Sequence, residues 1–415
     1  MDIAPIIKAL RRNKLGTLLM CLQITMTLAI VCNCLSVIDR YMERSTRPTG
    51  IDEGNIFTLS NQWLGNPADI GARIQADLAA IRSVPAVRDV QDTNSFPLRG
   101  GGWGWKLSLR ASQKVPTSST TLYFVDDHGL NTYGLMLVAG RWFRPDEIGE
   151  HGMSDLSFPP TVVISADLAH RLFPSGNAVG QMVYWTPTAT SRIVGIVERA
   201  QTPWAAFMGR TDEQSSFLPY RYVDGQTFYV VRARPGQLAD AMRKVPEQLI
   251  ALSQERIVDN ISTFTETRNT AYFESRTNAV ELGALSGLLL GVTGCGIVGL
   301  TVYWVNQRRR QIGVRRALGA SAADILIYFH AENLLIAGCG TVLGVALALA
   351  SNLWLVTHFE LARVSVGFVA LAALIVLAAS QVAVFWPSLQ AASISPASAA
   401  RGQVRRGTQI LGSRR

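Results

Sequence analysis

Gly294, Gly296 and Gly299 have the G-x-G-x-x-G spacing that brings backbone amides close to a pyrophosphate. That chemistry needs a strand before the glycines and a helix after them. Here both flanks are unbroken apolar sequence, so close helix packing is the better account. Gly287 with Gly291, and Gly340 with Gly344, repeat the small-residue spacing. No G-x-x-x-x-G-K-[ST] phosphate loop, H-E-x-x-H zinc motif or G-x-S-x-G nucleophile elbow occurs, and the five histidines are scattered. The sequence offers no catalytic, cofactor-binding or metal site, and an enzyme is not expected.

The remaining chemistry is charge. Residues 308–325 read RRRQIGVRRALGASAADI, with Arg308, Arg309, Arg310, Arg315 and Arg316 inside nine positions. Each arginine costs about 2.5–3.5 kcal/mol at a bilayer centre, so the segment must lie outside the membrane. It still has helical order: Val314, Ala317 and Leu318 share one side, and the arginines take the other. Gly319 is placed to stop that helix, and Ser321 with Asp324 has capping-box spacing to start another. The same pattern suits a lever pushed by another protein or a helix resting on anionic lipid headgroups.

Two other places invite a role. Glu332, near His330, lies early in an apolar run, where an ionisable group either couples movement or meets an Arg or Ser of a neighbouring helix. Residues 99–107, RGGGWGWKL, are read either as a loop offering Trp103 and Trp105 to a hydrophobic ligand or partner, or as a hairpin whose tryptophans pack back on a sheet.

The elements that must position these residues follow from composition. The 415 residues are 48% hydrophobic and only 17% charged, against about 25% charged in soluble domains. Four runs reach spanning length: 15–38, 282–305, 325–350 and 366–386, the last ending before Pro387. The net charge of +9 does not imply nucleic-acid binding. It gathers at residues 8–14, 308–316 and 401–415, while residues 39–276 hold 24 basic and 25 acidic groups. Lys and Arg at span ends stay inside. Both termini (1–14 as an elbow, 387–415 as a tail) and the 306–324 loop are therefore expected in the cytoplasm, with residues 39–278 and the short 351–365 loop outside. All five cysteines fall in the spans, so disulfides do not staple the outer domain.

That outer domain has similar ends. Strand-like 55–60 and 86–91 flank a helical 68–84, and strand-like 226–234 precedes a helical 237–255. The expected fold is an α-helical membrane protein with four transmembrane helices and a large two-lobed α+β periplasmic domain inserted between the first two. One α+β lobe takes about 45–110 and 223–275, and a β-rich lobe is inserted at about 111–222, with strands at 120–125, 161–165 and 191–198.

The 309–320 stretch resembles the signature loop of MacB/FtsX-type ABC transporter permeases, Arg-x-x-x-Ile-Gly-(Val/Ile)-Arg-(Arg/Lys)-Ala-(Leu/Val)-Gly-Ala. Residues 9–19, 133–143, 161–183, 192–198 and 386–402 are similar, in order, to further family segments. The resemblance implies a dimer of permease subunits, homo- or heteromeric, over cytoplasmic ABC ATPases that bind ATP and Mg, and mechanotransmission through the loop helix. Arg309, Ile312, Gly313, Arg315, Arg316, Ala317, Leu318 and Gly319 would then contact the ATPase. MacB's fused ATPase domain is not matched, so the ATPase is expected on a separate chain. Efflux of hydrophobic compounds, peptides or proteins from a Gram-negative inner membrane, with a periplasmic adaptor and an outer-membrane channel, is one implied use. Lol-like lipoprotein extraction and FtsX-like activation of a periplasmic hydrolase are others.

Overall fold

The computed structural model describes residues 14–65, 67, 69–204, 213–359 and 364–393. Two compact units emerge, Arg44–Ser275 and the helical remainder. The expected amino-terminal elbow before residue 14 and the tail beyond 393 lie outside the described residues.

The helical unit is built on four long helices: α1 (Lys14–Thr46), α7 (Phe273–Gln307), α9 (Ala322–Phe359) and α10 (Val366–Ala392). Each contains a stretch long and apolar enough to cross a membrane. All outrun the apolar runs. Helix α1 continues through Asp39 and Glu43 because its polar end is made of residues a helix tolerates in water. Helix α9 runs on to Phe359, so most of the expected 351–365 loop is helical. Helix α10 does not stop at Pro387 but passes through it to Ala392. Apolar helices tolerate such a proline when neighbours satisfy the freed groups.

Helix α1 holds this unit together. Met20, Ile24 and Leu28 are fully buried beside Ile297, Trp304, Ile336 and Ala337. Gly340 and Gly344 let α9 approach closely: a Cβ at Gly340 would lie 2.9 Å from Ile24 and 3.1 Å from the Cys21 carbonyl, and one at Gly344 would lie 2.9 Å from Leu28. Thr25 Oγ1 donates to the Gly340 carbonyl at 3.1 Å. On α7, only Gly296 behaves this way, with the Gln23 side chain lying over it. Gly287, Gly291, Gly294 and Gly299 have nothing within 4 Å of an added Cβ, so the packing expected for them does not occur within the described chain.

The second unit has two sheets. The first is antiparallel, with strand order β12–β1–β11–β2, from β1 (Ile56–Trp63), β2 (Val87–Thr93), β11 (Gln226–Ala233) and β12 (Arg256–Thr263). Alternation sends Phe57 and Leu59 to one face, where α2 (Ile70–Ser83) and α5 (Leu238–Leu252) cover them with Ile74, Leu78, Val245 and Leu249. Ile56, Phe228 and Val230 face the other way and join a core with Tyr123, Trp142 and Phe217.

The second sheet has eight strands: β3 (Trp103–Leu107), β4 (Ser118–Val125), β5 (Leu137–Gly140), β6 (Gly149–His151), β7 (Thr161–Ser165), β8 (Met182–Tyr184), β9 (Thr190–Val197) and β10 (Ser215–Tyr222). Its main path is β3–β4–β10–β7–β9–β5. Helices α3 (Gly129–Tyr133) and α4 (Ala166–Leu172) lie among these strands, and α6 (Phe264–Ala271) follows β12. The inserted sheet starts at Trp103, several residues before the expected lobe boundary near 111. Pro219 falls inside β10, where β7 pairing has ended at Phe217 and β6 pairing starts at Tyr220. A residue without an N–H is tolerated at such a break.

Candidate functional site

The arginine-rich loop folds as a short helix, α8 (Arg309–Ala317). It ends as Gly319 takes φ +100°, and the Gly319 and Ala320 amides donate to the Arg316 and Arg315 carbonyls at 3.2 and 3.0 Å. One residue later the capping box closes. The Ser321 amide donates to Asp324 Oδ2 at 2.9 Å, and the Asp324 amide donates to Ser321 Oγ at 3.2 Å. Stop and restart thus occupy four residues.

Three arginines fasten this elbow to the long helices. Arg308 Nη1 donates to both Glu332 oxygens at 3.0 Å, with the two side chains 14% and 2% exposed. Arg315 stacks over Tyr328, 5.0 Å from the ring centroid, and Arg316 Nη1 donates to the Ala392 carbonyl at 2.6 Å. Ile312 and Gly313 are buried beneath the helix. The outward surface includes two apolar side chains, Leu318 at 84% exposed and Val314 at 54%, beside exposed polar ones such as Gln311. The side of α8 read as its apolar face is thus the open one, and Arg315 and Arg316 already serve the elbow's own structure. Ala317, Gly319, Arg309 and Arg310 are exposed too.

Glu332 belongs to a polar ladder that the sequence marked only in part. His330 Nδ1 lies 2.9 Å from Gln381 Oε1, and Asn333 Nδ2 donates to the Ser380 carbonyl at 3.2 Å. These bonds tie α9 to α10 beside the elbow.

In the two-sheet unit, Trp103 and Trp105 are on strand β3, not on a loop. They pair across to Leu122 and Thr120 and share one face of the sheet. Trp103 meets Phe124 edge-on at 5.2 Å, and Trp105 Nε1 donates to the Trp185 carbonyl at 2.9 Å.

A cluster of buried carboxylates with half-buried basic partners, between the two sheets, escaped sequence reading. Arg82 on α2 lies 3.5 Å from Asp89 and 3.4 Å from Asp126; His128 Nδ1 is 2.9 Å from Asp89. Asp92 Oδ2 on β2 accepts from the Tyr222 amide on β10 at 2.7 Å, and its other oxygen has no partner. Burial, reinforced by the Asp126 charge, holds the Asp92 carboxyl up to about 7. Burial also raises Asp126, against the pull of Arg82 and His128. No signal in the sequence brings these residues together, since they come from separate strands and loops. Among the described residues, no group of three or more His, Cys, Asp or Glu is arranged to hold a metal.

Four membrane-length helices with one large α+β domain inserted after the first define a multi-pass membrane protein. The chain belongs to the MacB/FtsX-like ABC permease family: residues 21–248 match the MacB-like periplasmic core domain, and residues 283–396 match the FtsX-like permease C-terminal domain. The macrolide export ATP-binding/permease protein MacB of Shewanella sp. (strain W3-18-1) is 26% identical over 292 residues, covering 66% of this chain and 40% of that protein. Its namesake from Escherichia coli O6:K15:H31 is 24% identical over 353 residues, covering 82% and 51%. The chain thus spans about half or less of the length of these relatives. The periplasmic region of MacB from Actinobacillus actinomycetemcomitans aligns at a TM-score of 0.35 with 18% identity, covering 53% of this chain and 94% of that one.

Proposed function

We propose that this chain is the permease subunit of an ABC transporter. It couples ATP hydrolysis by a cytoplasmic ATPase to a conformational change in its periplasmic domain, and so exports hydrophobic compounds, peptides or proteins across an inner membrane. The observation that carries this reading is the elbow. Leu318 and Val314 stand open on a short helix whose arginines brace it against α9 and α10. Two exposed apolar side chains on a braced helix give a protein partner a firm surface to press on. The basic residues around it favour the cytoplasmic side.

The ATPase, with its ATP and Mg, is assigned to the partner. A second permease subunit completes the assembly, and the open glycine face of α7 offers it a close-packing surface. The names of the relatives carry macrolide export, which supports a hydrophobic cargo here. An adaptor and an outer-membrane channel would complete the path.

The test is co-reconstitution with a cytoplasmic ABC ATPase from the same organism, reading vanadate-sensitive ATP turnover and cross-linking from a cysteine at position 318. Cross-linking to the ATPase and stimulated turnover are expected. Labelling of a cysteine at position 313 from the periplasmic face would overturn the reading.

A further inference from the structure

The eight-stranded sheet carries a cavity of about 300 Å³ at its β3 edge, at the lower end of the range for small-molecule sites. Its construction follows from the pleat. Trp103 and Trp105, two apart on β3, put both indoles on one side, while Gly104 between them faces the other. Phe124 from β4 forms the floor. The segment after β6 crosses over the top and brings Phe158 within 5.0 Å of Trp105, stacked on its far side against Trp185 at 4.8 Å. The same segment leaves Met153 and Leu156 at the rim, 68% and 80% exposed.

The one fixed charge among the described lining residues is negative. Four aromatic rings supply negative faces, and the carboxylate in the lining is Asp155, held by the Gly152 amide at 2.8 Å. No lysine or arginine is among the described residues that line it. His151, 4% exposed, is wedged 4.7 Å from both Phe124 and Tyr220 and closes the inner wall. Apolar walls would accept any small hydrophobe. Aromatic faces with a carboxylate at the mouth and no competing cation select a positively charged one.

We propose that this cavity is a binding site for a small apolar cation, an alkylammonium or arylammonium group. The cation sits against Trp103 and Trp105, with Asp155 supplying the counter-charge. The inference is independent of the ATPase assignment.

The matched probes are choline and 3,3-dimethylbutan-1-ol, which share a shape and differ in the charged nitrogen. Their affinities for the detergent-solubilised full chain are read by ligand-observed NMR titration. Choline should bind saturably and roughly tenfold more tightly than the alcohol. Trp103→Ala should abolish choline binding. Asp155→Asn, a change at an exposed position that leaves the fold intact, should weaken choline several-fold and leave the alcohol unchanged. Equal affinities for the two probes, no saturable binding of choline, or an Asp155→Asn variant that binds choline as the wild type does would each overturn the proposal.

Discussion

Arg308 and Glu332 form a two-pronged ion pair at 3.0 Å, one from the end of the second long helix and the other from the first turns of the third. With Glu332 2% exposed, the pair pins the two ends of the elbow to each other. Removing one member leaves the other charge buried without its counterpart. Glu332→Ala should therefore destabilise the helical unit by about 3–5 kcal/mol, whereas Arg308→Met with Glu332→Leu should recover most of that loss. Thermal unfolding in detergent distinguishes the single from the double variant.

Leu318 tests the elbow's outward face. Because the side chain is 84% exposed, Leu318→Asp should leave the unfolding temperature unchanged while lowering partner-stimulated ATP turnover by tenfold or more, about 1.4 kcal/mol of interface energy. Arg316→Ala should behave differently. It loses a bond to the Ala392 carbonyl and should cost about 1–3 kcal/mol of stability before any effect on coupling.

Gly340 and Gly287 make a matched pair on two helices. An alanine at Gly340 would push its Cβ to 2.9 Å from Ile24 and 3.1 Å from a backbone carbonyl, so Gly340→Ala should cost about 1–3 kcal/mol. Gly287→Ala meets open space within the chain, so the unfolding of the isolated subunit should be unchanged or slightly stabilised through helix propensity, any cost appearing only in subunit pairing. Unfolding curves for the two variants in the same detergent provide the comparison.

Asp92 sets a pH dependence. Its carboxyl is held up to about 7 against an ordinary 3.8, so the folded chain keeps that proton more tightly than the unfolded one. The resulting stabilisation is full below the ordinary carboxylate range and is lost as pH rises toward 7, by about 1.4 kcal/mol for each pH increment of one. Asp92→Asn should flatten that slope, with a residual part left from Asp126, which burial moves in the same direction. Denaturant titrations of both proteins between pH 4 and pH 7, about the interval that the two carboxyl positions define, measure the difference.

What could be read in advance follows from the range of the interactions. The spans, the Gly319 stop and the Ser321 box are local, written within one or two turns of helix. Strands β1, β4, β7, β9 and β11 were legible because their apolar residues recur in short, bounded runs. Strand β12 was not: Asp259 and Asn260 break its apolar pattern, and Asn260 takes φ +51° at a bulge opposite β1. Strand β10 was hidden by Pro219, whose tolerance depends on a gap between two neighbours far away in sequence. The orientation of α8 was legible as a period but not as a direction. Which side of a short helix is covered depends on Tyr328 and Ala392, and no local pattern encodes them.

The register of the four-stranded sheet has a consequence for biosynthesis. Ile56 pairs with Arg232 and Phe57 with Thr263, while β2 pairs with β11 alone, so neither early strand has a neighbour until the far end of the domain has been made. During translation the inserted eight-stranded lobe can close while its host remains an open chain. A nascent chain whose Tyr222 has just come clear would therefore display a paired guest sheet inside an unfinished house, with β1 and β2 exposed to whatever chaperone attends it.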